Sequence, residues 1–244
     1  MFRLFGVGVV VCKQLAHAGL RVVVADIDGN NAQRVATNLG AGHTAKTLDV
    51  ADETSVTQMF NEVEAVQGPV AALVCVAGIL ILPDGKRPFI KDMTLDDWER
   101  SFAVNMRGAF LCSREFLRHR EAKPVPQGRV VFFGSVAAQL GGYRSSAAYI
   151  GAKAAVHGYA KAFAREASHL GITANVIAPG LIDTDMLRST VGSSGELVAA
   201  SQNIPLGRIG TVDDVASAVQ YLISPAAAYV TGNVIDVNGG YRMQ

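Results

Sequence analysis

A three-layer α/β fold built on a doubly wound parallel sheet is the architecture this sequence predicts, and three observations predict it. Short apolar runs alternate with segments of helical period from one end of the chain to the other, the pattern of strands joined by right-handed crossover helices. Two of those runs, residues 69–76 and 129–133, are continuous rather than alternating in polarity, as expected of parallel strands covered on both faces. Third, Asp26, Asp49, Gly78, Ser135 and Pro179-Gly180 all fall at the carboxyl ends of predicted strands, the edge where an open parallel sheet binds its ligands.

The elements follow in order. Residues 8–19 read as a helix with Val11, Leu15 and Ala18 on one face and a glycine stop. A β-branched strand at 21–25 ends on Asp26; Asp28-Gly29-Asn30 turns the chain into a helix over 31–39. A strand at 44–48 closes on Asp49-Val50, a helix covers 53–67, and the strand at 69–76 closes on Ala77-Gly78. Residues 79–92, with Pro83, Asp84-Gly85 and Pro88, read as a loop over the strand ends. Thr94 is a helix cap ahead of Leu95-Asp96-Asp97-Trp98, and a long helix runs over 102–120. The strand at 129–133 leads into a loop and then a helix from Tyr149 to Leu170; a strand at 173–177 ends at Ala178-Pro179-Gly180. Residues 183–205 are polar and weakly periodic, which suits a mobile lid over a site. Thr211 caps a helix to Ile223, and 234–237 is the last strand before Asn238-Gly239-Gly240.

With 244 residues, 50% hydrophobic and 18% charged, the chain can bury one large core, so a single domain over 1–244 is expected. A net charge of +1 leaves no basic footprint for nucleic acid, so small-molecule chemistry is the better expectation. Cys12, Cys75 and Cys112 have neither disulfide-framework nor metal spacing, and point to packing in a reducing, cytoplasmic compartment with no metal site. The apolar start of the chain is interrupted by Lys13 and Gln14, unlike a signal peptide, and no run reaches the ~18 apolar residues of a membrane span.

Chemistry concentrates between Ser135 and Lys153. Tyr149 and Lys153 stand four apart on a helix and so share a face, where an ammonium beside a phenol favours the phenolate and lets it act as a general acid or base. Ser135 supplies a hydroxyl to a substrate oxygen. Asp26, eighteen residues after Gly8, stands where a carboxylate accepts from an adenosine ribose and repels a 2′-phosphate, which favours NAD over NADP.

Over nearly its whole length the chain resembles the short-chain dehydrogenase/reductases, a Rossmann-type family that includes 3-oxoacyl-carrier-protein reductases and polyol and hydroxysteroid dehydrogenases. Tyr149-x-x-x-Lys153 is similar to the active-site motif, with Ser135 upstream and Asn105 matching the helix asparagine; these four are the implied catalytic residues. Pro179-Gly180 through Ile182 and Thr184 resembles the segment that closes on the nicotinamide and pyrophosphate, Asp49-Val50 the pair at the adenine, and Gly6 and Gly8 the last glycines of the phosphate loop. Residues 205–210 and 230–240 are similar to the family's C-terminal segments. The resemblance implies a seven-stranded sheet, NAD(P), an alcohol or ketone substrate turned over with Tyr149 as acid/base, Asn105 holding a relay water, and a homotetramer or dimer packed through the two long helices and the last strand.

Three departures stand against that pattern. Met1 and Phe2 occupy the places of the loop's Thr and first Gly, and the strand that should precede them is absent: residues 2–11 are themselves the strand in a shifted register, or the sheet closes up, or the fold is damaged there. Phe2 would also crowd the pyrophosphate. The family's Asn-Asn-Ala-Gly reads Cys75-Val76-Ala77-Gly78, and Ser135 lies fourteen residues before Tyr149, about one more than the family spacing, with Ser145 and Ser146 as decoys. A damaged phosphate loop leaves a second reading open, a non-catalytic Rossmann scaffold with impaired dinucleotide binding.

Overall fold

The computed structural model describes residues 6–142, 144–190 and 194–243. Strand β1 (Val23–Asp26) pairs in parallel with β2 (Thr44–Thr47), Val23 opposite Thr44 and Asp26 opposite Thr47. A second parallel sheet runs in the order β3 (Ala72–Cys75), β4 (Arg129–Phe133), β5 (Thr173–Pro179), β6 (Val234–Val237). Strand β4 is buried at all five positions, and its alternation divides the core in two. Val130 and Phe132 face helices α3 (Glu53–Gln67), α5 (Gly108–Ala122) and α7 (Ala147–Ala167), where they meet Phe60, Phe116, Val156 and Phe163. Val131 and Phe133 face α1 (Val7–His17), α2 (Gly29–Leu39) and α10 (Val212–Ile223), among Val11, Leu15, Val35 and Val219. These are the two helix layers of the predicted sandwich.

The expected seven-stranded sheet is interrupted: among the described residues there are six strands, and none lies between β1 and β3. Residues 7–11 are helical, so the shifted-register strand over 2–11 does not form there, and β1 does not pair with β3, so the sheet has not closed up. Phe2 lies outside the described residues. Side chains hold the halves together where the backbone ladder does not. Val11 and Leu15 of α1 share one cluster with Val24 of β1, Ile177 of β5 and Leu222 of α10, and apolar burial of this kind contributes about 25 cal/mol per Å².

Elsewhere the local signals act as expected, with three refinements. Asp28, Asp52, Thr94, Ser146, Thr184 and Thr211 each cap a helix by accepting a first-turn backbone N–H. The long helix predicted from 102 begins earlier, as α4 (Leu95–Phe102), and passes through a π-helical turn, Ala103–Arg107, before α5. The loop after Ser135 contains a short helix, α6 (Ala137–Leu140), and the weakly periodic stretch 183–205 holds two more, α8 (Asp185–Arg188) and α9 (Ser194–Ser201), with residues 191–193 outside the described ones. Thr184 and the Asp183–Arg188 ion pair organise the first of them. On the opposite layer the fully buried Arg120 pairs with Glu64 and donates to Val70 O at 2.8 Å, tying α3 and α5 to the entry of β3.

Candidate active site

The site forms where β4 runs into α7. At the end of β4, Gly134 N donates to Ile177 O (2.8 Å) and Val136 N to Pro179 O (3.0 Å), so the turn carrying Ser135 is pinned to β5 on both sides. The Ser135 hydroxyl accepts from Ala137 N at 3.1 Å, which leaves its proton available to a second oxygen. The Ser146 hydroxyl receives the N–H of Tyr149 at 3.3 Å; this predicted decoy therefore starts the helix. One turn on, Lys153 sends its ammonium to Phe133 O (2.8 Å), with Nζ 5.9 Å from the centre of the Tyr149 ring.

Tyr149 and Lys153 are 8% and 4% exposed, and burial governs both. It pushes the Tyr149 phenol above its ordinary value of 10, against the pull of a hydrogen bond with Ser135. It also lowers Lys153 to about 8, with the Cys75 thiol acting in the opposite sense. One donor of the ammonium goes to Phe133 O, and burial outweighs the Ser135 hydrogen bond at the phenol, so the expected lowering by Lys153 is not seen there.

Asn105 reaches the same place through the π turn. Its Nδ2 donates to Ile79 O and Ser101 O, both at 2.9 Å, and its Oδ1 accepts from Ile79 N at 3.0 Å. The side chain clamps the chain just after Gly78. A Cβ added at Gly78 would lie 2.9 Å from Asn105 Oδ1 and 3.3 Å from Lys153 Nζ, so only glycine lets the β3 turn come this close. Ala77 beside it is exposed.

The remaining predicted residues line the same edge. Gly6 takes a φ of +63°, and a Cβ there would sit 3.1 Å from Thr184 Cγ2, so the start of α1 meets the segment after β5. Gly6 provides no side-chain cap, no acid occupies the first turn of α1, and Gly8 is buried within that helix. Gly180 N donates to Val237 O, and Ile182 is buried and bridged to Gly210. Asp26 is buried and accepts from Asp28 N (2.8 Å) and Asn31 Nδ2 (3.1 Å). Asp49 follows Leu48, whose N–H bonds Asp26 O, while Val50 fills the space that a Gly108 side chain would take.

These residues fit a nicotinamide dinucleotide. Among the described residues no side chain caps the start of α1, whose N–H groups suit a pyrophosphate; the buried Asp26 suits a ribose, and Lys153 has donors beyond the one given to Phe133 O. Among the described residues no His/Cys/Asp/Glu group could hold a metal ion, and no helix is long and apolar enough to cross a membrane.

A doubly wound parallel sheet with a Ser, Tyr and Lys gathered at its carboxyl edge defines a Rossmann-type oxidoreductase. Sequence comparison narrows the class. A family model described as enoyl-(acyl carrier protein) reductase matches residues 4–242, and the chain belongs to the short-chain dehydrogenase/reductase family. It is 34% identical over 238 residues to the 3-oxoacyl-[acyl-carrier-protein] reductase FabG of Escherichia coli, covering 98% of this chain and 93% of that one. It is 36% identical over 238 residues to the 3-oxoacyl-[acyl-carrier-protein] reductase MabA of Mycobacterium tuberculosis, covering 98% and 89%. The π turn that aims Asn105 and the burial of Lys153 left no signal in the sequence pattern.

Proposed function

We propose that the protein, one domain over 1–244, catalyses hydride transfer between NAD and the carbinol carbon of a secondary alcohol or the corresponding ketone. The observation that carries this reading is the meeting of Ser135, Tyr149 and Lys153 beside Gly78 at one sheet edge. Bound nicotinamide supplies the hydride donor or acceptor. Ser135 donates to the substrate oxygen. Tyr149, kept neutral by burial, delivers its proton to that oxygen in reduction and recovers it in oxidation. Lys153 holds the nicotinamide ribose with the donors that Phe133 does not use, and Asn105 keeps the Gly78 turn in register with it. The described parts of the expected lid, residues 183–190 and 194–205, close over the substrate.

The protonated resting state of Tyr149 suits ketone reduction, and the relatives named 3-oxoacyl-[acyl-carrier-protein] reductases point the same way, toward a 3-oxo thioester as substrate class. The buried Asp26 supports NAD over NADP. The reading includes a homo-oligomer, dimer or tetramer, packed through α5, α7 and β6, in a reducing cytoplasm that keeps the three cysteines as thiols.

Tyr149→Phe tests the chemistry. Turnover on a panel of ketones should fall about 10²- to 10⁴-fold while the NADH-induced rise in melting temperature is kept, and retained turnover would sink the assignment. The scaffold reading is favoured instead if neither NADH nor NADPH at millimolar concentration shifts the melting of the wild type.

A further inference from the structure

Two turns beyond Tyr149 and one beyond Lys153, α7 presents His157 to the back of the active-site turn. Its ring lies against Gly134, the residue before Ser135, so closely that a Cβ on Gly134 would fall 2.0 Å from Nε2 and 2.6 Å from Cδ2. That Nε2 is buried and has no hydrogen-bond partner. An imidazole meeting a backbone in this way has to be neutral, with its proton on Nδ1, because a proton on the buried nitrogen would find no acceptor.

The charges around the ring agree with a neutral state. Burial lowers its proton affinity most, and Asp236 on β6 opposes that. Lys153 and Lys161 on α7, with Arg242 after β6, act in the same sense as burial. Asp236 is engaged by Arg242 at 3.1 Å through Oδ2, while its buried Oδ1 has no hydrogen-bond partner among the described residues.

We propose that His157 is a positioning residue of the reaction: its neutral ring buttresses the Gly134-Ser135 turn, and protonation in acid drives the ring off that turn and withdraws Ser135 from Tyr149. The inference about turnover rests on the oxidoreductase reading; the coupling of ring to turn does not. It would set the acid limit of activity through a group that touches neither substrate nor cofactor.

The test has two arms. In an NMR titration of the wild type, the amide signals of Gly134 and Ser135 should move with the same midpoint as the His157 ring signal, and stationary amides through that titration would overturn the proposal. In ketone reduction, wild-type kcat should fall about tenfold for each pH unit below the His157 midpoint read in that titration, with the KM for reduced cofactor unchanged, whereas His157→Asn should lose most of that acid limb. An acid limb kept in full by the variant also overturns the proposal. If His157→Asn does not fold, the wild-type titration decides alone. If the wild type turns over no alcohol or ketone, the oxidoreductase reading fails and the amide titration still decides whether His157 holds the turn.

Discussion

Lys153 keeps its amine where water does not reach, and that cost is measurable. Its folded value, about 8, lies below the ordinary 10.5, so between those two values the unfolded chain binds more protons and stability rises with pH. Below about pH 8 the full penalty persists. Lys153→Met should therefore raise the stability at pH 7 by about 1–2 kcal/mol, after the loss of the bond to Phe133 O, while abolishing turnover. The gain should shrink as the pH climbs beyond 8; a lower melting temperature than wild type at pH 7 would contradict this account. Asp26 makes a second prediction at this scale. Asp26→Ala should cut the preference for NAD over NADP by about tenfold or more, on the order of 1.4 kcal/mol, read as a ratio of dissociation constants so that any general destabilisation cancels. A wild type that already prefers NADP ends that reading.

Among the elements, α10 shows how a helix end is secured. Thr211 and Asp214 form a capping box, and Arg208 grips the same carboxylate with two bonds of 2.7 and 2.9 Å. The Arg208 hydrogen bonds, followed by the Thr211 backbone, hold the Asp214 carboxyl well below its ordinary 3.8. Its stabilisation is therefore present above that value and is lost as the pH falls below it. Asp214→Ala should cost about 1–2 kcal/mol in urea denaturation at neutral pH, the ion pair being discounted because it is partly exposed, and the difference should narrow in acid. The π turn at 103–107 is the other informative element. Closing Gly108 N onto Ala103 O shifts the helical ladder by one residue, and the buried Asn105 then clamps both backbone groups of Ile79.

For the whole molecule, the break between β1 and β3 divides the described residues into a pair of strands and a four-stranded sheet joined through side chains. Cooperative opening follows backbone ladders and buried contacts, so β1–β2 should exchange amide hydrogens as a separate and faster unit than β4–β5. Saturating nicotinamide cofactor should slow exchange in α1 and β1, since their ends face the predicted dinucleotide. Equal protection of β1–β2 and β4–β5 in the apo protein would show that the halves open as one.

The sequence by itself determined the strand-helix alternation, the caps, and the set of residues delivered to one edge of the sheet, because these depend on local periodicity and on chain direction. Tyr149, Lys153 and Ser135 were legible because i, i+4 geometry and a strand end leave little freedom. Only the tertiary structure decided what each group experiences there. Burial lowers Lys153 and raises Tyr149, a π turn aims Asn105 at Ile79, and His157 backs the Ser135 turn, all of which depend on which distant elements pack against them. Which of the three outcomes expected for the missing first strand holds likewise emerges only in the fold: among the described residues no strand lies between β1 and β3, and residues 7–11 are helical and pack with α2 and α10.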